Sequence, residues 1–319
     1  MRNKRLVIYS GIYNEARFFR HMIEWVLSQT YSDFDFIISD NHSTDGSSQI
    51  IREYAARDSR IKLIAPRTFL SSLHHGQFIV SSLKGLDYAA ALYVGGHDLI
   101  SPDYVMSMLE SLMQNPSCVI AYPRNAFEID SDNNILRRWG SSPQTIGLAQ
   151  PFKTITTLLN ITHNIPLYGL WRYDVFNLQA ELPRCIGGDH FFVAKTNLYG
   201  DLLEVPTGDL YLRRVQDAGN YTAYQKKHFG DQINVADDML LQLEMLANLV
   251  RQACSGYSQV TCDTALASAV MLYIIRFSSL LESEEHRQQF FSHPQISAAM
   301  SACAQSGALL SAVLKLAPL

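Results

Sequence analysis

Apolar and polar positions over the first hundred residues alternate between two periods. Leu6-Val-Ile-Tyr-Ser10 is a β-branched run that reads as a buried strand, and Gly11 to Asn14 turns it into a segment where Phe18, Phe19, Met22, Ile23, Val26 and Leu27 recur at helical spacing. Asn14 is the expected N-cap of that helix. Phe34 to Ser39 repeats the strand pattern. The polar turn Asp40-Asn-His-Ser-Thr-Asp-Gly46 then opens a second helix with Ile50, Ile51, Tyr54 and Ala55 inward. Ile61 to Ala65 predicts a third strand, the stretch from about Gly76 to Tyr88 a third helix, and Ala90 to Val94 a fourth strand ending in Gly95-Gly96-His97-Asp98. Pro102 suits the first turn of the helix that carries Tyr104, Val105, Met108 and Leu112. Such alternation predicts an α/β fold: a Rossmann-like, mainly parallel sheet with helices on both faces, and ligands at the carboxyl ends of the strands.

From Cys118 the pattern changes. Val119-Ile-Ala-Tyr and Ala126-Phe-Glu-Ile-Asp, with Ser131-Asp-Asn-Asn134 after them, read as a hairpin or edge strands closed by a tight turn. After about Ala236 the chain reads as helical, with helices expected over Asp237 to Ala253, Thr261 to Leu281 and Pro294 to Leu316. No internal repeat interrupts this order.

Composition narrows the class. At 319 residues, with 47% apolar and 18% charged positions, the chain has the make-up of a globular protein with a sizeable core. A net charge of -4 gives no field for binding nucleic acid, so any anion must be captured locally. The five cysteines, 118, 185, 254, 262 and 303, are scattered and odd in number, which points to reduced thiols and a cytoplasmic setting. Leu6 follows a basic tip with no signal-peptide pattern. The most apolar later stretch, Ala265 to Phe277, falls short of the roughly 20 residues of a membrane span.

Three polar clusters, Tyr13-Asn14-Glu15, Asp40-Asn41 and His97-Asp98, each follow a predicted parallel strand, so the fold should gather them on one sheet edge. A carboxylate at a strand end accepts a pyrimidine N–H or a ribose hydroxyl, and one beside a diphosphate can hold a divalent cation. A nucleotide-activated sugar calls for both.

The stretches Val7-Ile-Tyr-Ser-Gly-Ile-Tyr-Asn-Glu-Ala-Arg-Phe-Phe19, Ser28-Gln-Thr-Tyr-Ser-Asp-Phe-Asp-Phe-Ile-Ile-Ser-Asp-Asn-His-Ser-Thr-Asp-Gly46 and Gly96-His-Asp-Leu-Ile-Ser-Pro-Asp-Tyr104 resemble the family 2 glycosyltransferases of the GT-A fold. The resemblance covers about residues 5 to 115 well, continues more weakly through Tyr168 to Phe176, Gly187 to Lys195 and Tyr211 to Arg214, and stops near 230. It implies a GT-A domain over 1–230, with a nucleotide-sugar half at 1–115 and an acceptor half at 116–230, followed by a helical region over 231–319. It further implies that Tyr13 and Glu15 line the nucleoside pocket, that Asp40 with Asn41 meets the base, most often uracil, and that His97-Asp98 occupies the metal-motif position. Gly96 stands where the family has the first carboxylate of its Asp-x-Asp motif, leaving Asp98 as the ligand for Mn²⁺ or Mg²⁺. His97 is open as second ligand, phosphate donor or loop histidine. Asp189 matches the catalytic carboxylate of an inverting transfer, with His190 as the fallback base, and it is also suited to cap the helix that follows. Trp171-Arg172 and Arg213-Arg214 fall on the active-site side by the same resemblance, for the sugar face and the departing diphosphate. His228 and the pair His74-His75 are lesser candidates.

These readings make the chain an inverting, hexosyltransferase-like enzyme that moves a sugar from a nucleoside diphosphate, UDP first, to a hydroxyl of a glycan, lipid-linked or protein acceptor in surface polysaccharide or glycoconjugate synthesis. A catalytically silent nucleotide- or glycan-binding protein on the same fold is the alternative. A nucleotidyltransferase ranks last, because no glycine-rich, lysine-bearing phosphate loop follows the first strand. The expected location is the cytoplasm, with contact at the inner membrane face an option. The C-terminal helices are candidates for a homo-oligomer interface.

Overall fold

The structure is a computed structural model, and it describes residues 4–140, 144–160, 164–178, 181–183, 185, 187–214, 235–277, 284–294 and 297. The chain divides into two compact units, the first built from 1–146, 163–182 and 199–231, the second from 147–162, 183–198 and 232–319. The family resemblance implies a boundary at 230/231; the second unit also takes in two earlier stretches of chain.

The first unit holds a nine-stranded sheet. Its first half runs β1 (Leu6–Ile12), α1 (Ala16–Leu27), β2 (Phe34–Asp40), α2 (Ser47–Ala55), β3 (Ile61–Ile64), α3 (Ser72–Leu83) and β4 (Ala90–Tyr93). The second runs β5 (Leu99–Ile100), α4 (Tyr104–Gln114), β6 (Cys118–Ile129), β7 (Ile135–Arg138), β8 (Leu170–Arg172), α6 (Tyr173–Leu178, after α5, Gln150–Asn160, of the other unit) and β9 (Asp201–Arg213). The strand order is β3-β2-β1-β4-β8-β6-β9-β5, with β7 on β6. Pairs β3-β2, β2-β1 and β1-β4 are parallel as expected. Strand β8 enters antiparallel to both β4 and β6, while β6 and β9 run parallel. The two runs read as a hairpin after Cys118 are one long strand, β6, and the turn at Ser131 to Asn134 joins it to β7. Leu6, Val7, Ile8, Phe36, Ile38, Ala91 and Leu92 are fully enclosed, since a parallel strand covered on both faces is apolar at consecutive positions.

Local chemistry departs from two expectations. Pro102 lies before Asp103, the cap position of α4, rather than in its first turn. Asn14 does not cap α1. It takes a left-handed conformation (φ 57°), and its Oδ1 accepts the Thr44 N–H at 2.8 Å. The first free N–H of the helix, at Ala16, is capped from another loop by Asp45 Oδ2 at 2.9 Å, and the Glu15 N–H goes to Ser47 Oγ at 2.9 Å. A carboxylate at a helix start satisfies an orphan donor and meets the positive end of the helix dipole. The loops after β1 and β2 are thereby clasped together.

The second unit comprises α5 (Gln150–Asn160), α7 (Gly188–Lys195), α8 (Val235–Ala253), α9 (Gln259–Phe277) and α10 (Glu284–Phe291). Ile155, Phe191, Leu246, Val250, Ala269, Tyr273 and Phe290 form its shared core. Most of the helix expected over Pro294 to Leu316 lies outside the described residues. No described helix is long and apolar enough to cross a membrane.

Replacing Asp45 by alanine removes the cap of α1 and opens the clasp. Urea unfolding of Asp45→Ala should show a loss of about 1–2 kcal/mol, against a smaller loss for Asp45→Asn, which keeps an acceptor. Equal stability of all three proteins would contradict the capping role.

Candidate active site

The turns after β1, β2 and β4 meet at the carboxyl edge of the parallel half. Asp98 is 3% exposed, and its Oδ1 accepts the backbone N–H of Arg213 at 2.9 Å. Burial raises its pKa above the usual carboxylate range, with the nearby Glu15 charge adding to the rise and His97 and Arg213 opposing it. The Arg213 guanidinium, also buried, donates to the carbonyl of His97 at 3.1 Å, the carbonyl of Asp130 at 2.5 Å and Asn133 Oδ1 at 2.6 Å, and it lies over the Phe18 ring at 4.4 Å. Arg213 therefore holds the Asp98 loop against the far end of the sheet.

Glu15 reaches across to His97, with Oε1 at 3.0 Å from Nδ1. Burial disfavours the charged ring, yet the Glu15 carboxylate and the Asp98 charge outweigh it and raise the His97 pKa above its ordinary value. The two glycines before His97 are spatial requirements. A Cβ at Gly95 would sit 2.2 Å from Asp98 Oδ2, and one at Gly96 would sit 3.0 Å from both Glu15 Cγ and Ile12 Cγ2. Glu15 thus fills the space into which a side chain at Gly96 would project, and the site keeps two carboxylates, one drawn from the loop after β1.

At the opposite end of this edge, Tyr13 (45% exposed) packs edge-on against Phe69 (56% exposed), ring centres 4.9 Å apart. Phe69 escaped the sequence reading; its one signal was an aromatic residue in the loop after the third strand. Asn41 sets that loop: its amide donates to the Leu70 carbonyl at 2.7 Å and accepts the Leu70 N–H at 3.0 Å. Asn41 is buried and acts by placing the loop. Asp40 is half-buried, with Oδ1 accepting the Ser43 N–H at 3.0 Å and Oδ2 accepting the Ser48 hydroxyl, so it also performs the local capping expected of a turn aspartate.

A family model described as glycosyl transferase family 2 matches residues 11–177, more than half of the chain. The chain belongs to this family. EpsE of Bacillus subtilis (strain 168), a protein named as a glycosyltransferase, is 41% identical over 75 residues, which is 22% of this chain and 27% of EpsE. EpsH of the same organism, also named as a glycosyltransferase, is 25% identical over 227 residues, 69% of this chain and 63% of EpsH. The matches therefore span less than two thirds of these relatives. Among solved structures, residues 1–349 of S. aureus TarS in complex with UDP-GlcNAc align with a TM-score of 0.65 at 12% identity, covering 90% of this chain and 78% of that one, which shows the shared GT-A fold.

Within this family 2 domain, two sequence candidates are not at the donor edge. Arg172 pairs in register with Ala90, and because β8 is antiparallel to β4 it lies at the amino end of β4, away from His97-Asp98. Its guanidinium donates to the carbonyls of Cys118 at 2.6 Å and Leu112 at 2.6 Å, closing the end of α4. Trp171 is buried, donates to the Pro166 carbonyl at 3.2 Å and packs edge-on against Phe176. Both are structural, because an antiparallel strand reverses the edge at which its C-terminal residues emerge. Arg214 is exposed and pairs with Glu128, which Arg137 shares.

The two histidines of the pair His74-His75 have separate partners. His75 is buried with Nε2 2.8 Å from Ser39 Oγ, and His74 Nδ1 lies 2.7 Å from Ser71 Oγ. His228 lies outside the described residues. Asp189 belongs to the second unit, in the first turn of α7, its Oδ2 4.0 Å from His190 Nε2. Phe191 and Ala194 of the same helix enter the helical core. Asp189 also lies close enough to the buried Cys185 thiol for its charge, with that of Asp238, to add to the upward shift that burial imposes there.

For a divalent cation, no group of three or more His, Cys, Asp or Glu suited to a metal occurs among the described residues. Asp98 has one oxygen engaged by Arg213 and the second beside Gly95. One carboxylate fits a hard cation such as Mg²⁺ or Mn²⁺ when substrate phosphates and waters fill the remaining positions.

Two outcomes follow from this geometry. Arg213→Met removes three charge-assisted hydrogen bonds, so denaturant unfolding should register a loss on the order of 3 kcal/mol; an unchanged midpoint would show that the arginine does not anchor the loop. Burial pushes the His75 pKa down to about 4, against the opposing pull of Asp40. The unfolded imidazole takes up its proton near its ordinary value of about 6.5, so stability is fully present above that pH. It falls as the pH drops toward 4, and unfolding curves of His75→Gln should lack that component.

Proposed function

We propose that the chain is an inverting glycosyltransferase that transfers a sugar from a UDP-linked donor to a hydroxyl group of a glycan, lipid-linked or protein acceptor, hexosyl transfer being the expected subtype. The observation that carries this reading is the convergence of the turns after β1, β2 and β4 on one sheet edge, with aromatic residues at one end and the buried carboxylate of Asp98 at the other. The base would rest against Tyr13, with Asp40 accepting its N–H through the lone pairs that Ser43 and Ser48 leave open. Asp98 would hold Mn²⁺ or Mg²⁺, whose charge offsets that of the diphosphate. The S. aureus TarS complex with UDP-GlcNAc supports this donor, and the chondroitin synthase of Escherichia coli, 26% identical over 132 residues, supports a role in polysaccharide synthesis.

Asp189 is the proposed catalytic base. As the acceptor oxygen bonds to the anomeric carbon and the bond from that carbon to the diphosphate oxygen breaks, Asp189 takes the hydroxyl proton and the nucleoside diphosphate leaves, so the anomeric configuration inverts. Its helix is seated by Phe191 and Ala194 in the helical core, which suits a base that must keep its position. A cytoplasmic enzyme, peripheral at the membrane and self-associating through its C-terminal helices, completes the proposal.

One observation favours a silent binding protein: with Gly96 in the metal motif, the second carboxylate, Glu15, is already tied to His97. Assays with a panel of nucleotide sugars and soluble acceptors separate the readings. Saturable transfer is expected, with kcat in Asp189→Asn lower by about a hundredfold or more and UDP affinity retained. UDP binding with no turnover from any donor would favour the silent protein.

A further inference from the structure

The far end of the sheet in the first unit carries an ordered aromatic and polar array that the donor site does not use. On β6, Asn125 and Phe127 stand in register with Asp209 and Tyr211 on β9, and Phe127 also stands opposite Arg138 on β7. The Phe127 and Tyr211 rings are stacked, centres 5.4 Å apart at 21°, and Trp25 of α1 meets Tyr211 edge-on at 5.9 Å. Around the rings runs a fixed hydrogen-bonded chain. Arg138 donates to Asn125 Oδ1 at 2.5 Å, Asn125 donates to Asp209 Oδ1 at 3.0 Å, and the Tyr211 hydroxyl donates to Asp209 Oδ2 at 3.2 Å. The Asp209 N–H is in turn held by Ser101 Oγ at 2.8 Å. Trp25, Asn125, Phe127, Asp209 and Tyr211 are all half-buried, and Arg138 is exposed.

We propose that this face of β6, β7 and β9 is a docking surface for a saccharide chain, an acceptor subsite beyond the donor edge. A sugar ring presents a flat face of C–H groups and a rim of hydroxyls that both donate and accept. Stacked aromatic rings match the face. A carboxylate, a carboxamide and a guanidinium already linked by hydrogen bonds match the rim, each with hydrogen-bonding capacity left over. A protein partner suits the surface less well at Asp209, because aspartate is depleted in protein interfaces. Nucleic acid suits it less too, since Asp209 lies at the middle of the array and the chain is net acidic at -4. Continuity with the donor edge comes through β9: Tyr211 lies two residues before Arg213, whose N–H holds Asp98. The role as acceptor subsite rests on the transferase reading; saccharide binding by itself does not.

The full chain is applied to an array of neutral, N-acetylamino and uronic-acid oligosaccharides, and the saccharides that bind are titrated calorimetrically with wild type, Phe127→Ala and Asn125→Ala. UDP is titrated in parallel, and thermal unfolding checks the fold of each variant. Binding of at least one saccharide class is expected, weakened about tenfold in each variant, with UDP affinity unchanged. A silent array, or saccharide affinity identical in wild type and both variants, would overturn the proposal. So would a dimer in light scattering that Phe127→Ala dissociates, since the face would then be covered by a second copy. Saccharide binding without UDP binding would uphold the surface and defeat the donor reading, whereas UDP binding with a silent array would do the reverse.

Discussion

Asp98 is a carboxylate almost wholly removed from water, and such a group is tolerated only where fixed donors surround it. Arg213 supplies one such donor and braces the loop that carries Asp98. Its backbone N–H donates to the carboxylate, while its guanidinium ties the preceding carbonyl of the same loop to the turn between β6 and β7. The loop that ends β4 is therefore set by the last residue of β9, some 115 positions later in the chain. Much of the second half of the sheet can be understood as the frame that brings this one residue to that one carboxylate.

The parallel half contributes the complementary part. Its three turns emerge on one edge because right-handed crossovers return each strand in the same direction, and Asp45 and Asn14 lock the first two turns together across the gap. Glu15, the cap position of α1, is thereby aimed over Gly96 at His97. The space beside Gly96 is filled by a carboxylate from a different strand end, a contact that chain order does not carry.

That contrast describes how far the sequence could be read. The strands Leu6–Ile12, Phe34–Asp40 and Ala90–Tyr93 were plain from their apolar runs, and so was the meeting of the turns that follow them, because both depend only on local periodicity and on the direction of parallel strands. Trp171 and Arg172 went astray because their strand is antiparallel, and chain order carries no signal for direction. Asn41, Asp45 and Phe69 owe their roles to contacts between loops far apart in the chain, where hydrogen-bond partners, rather than residue type, decide the outcome. The helices after 235 were legible as helices, but their shared core with α5 and α7 was not, since amphipathic spacing says which face is buried and not against what.

In the proposed function, one sheet edge holds a nucleoside diphosphate between the Tyr13 ring and the Asp98 carboxylate. Crystals soaked with UDP and Mn²⁺ test it most directly. Density is expected for a base against Tyr13 and Phe69, with the diphosphate running toward a cation within bonding distance of Asp98. UDP bound elsewhere on the protein, with this edge vacant at full soak concentration, would contradict it.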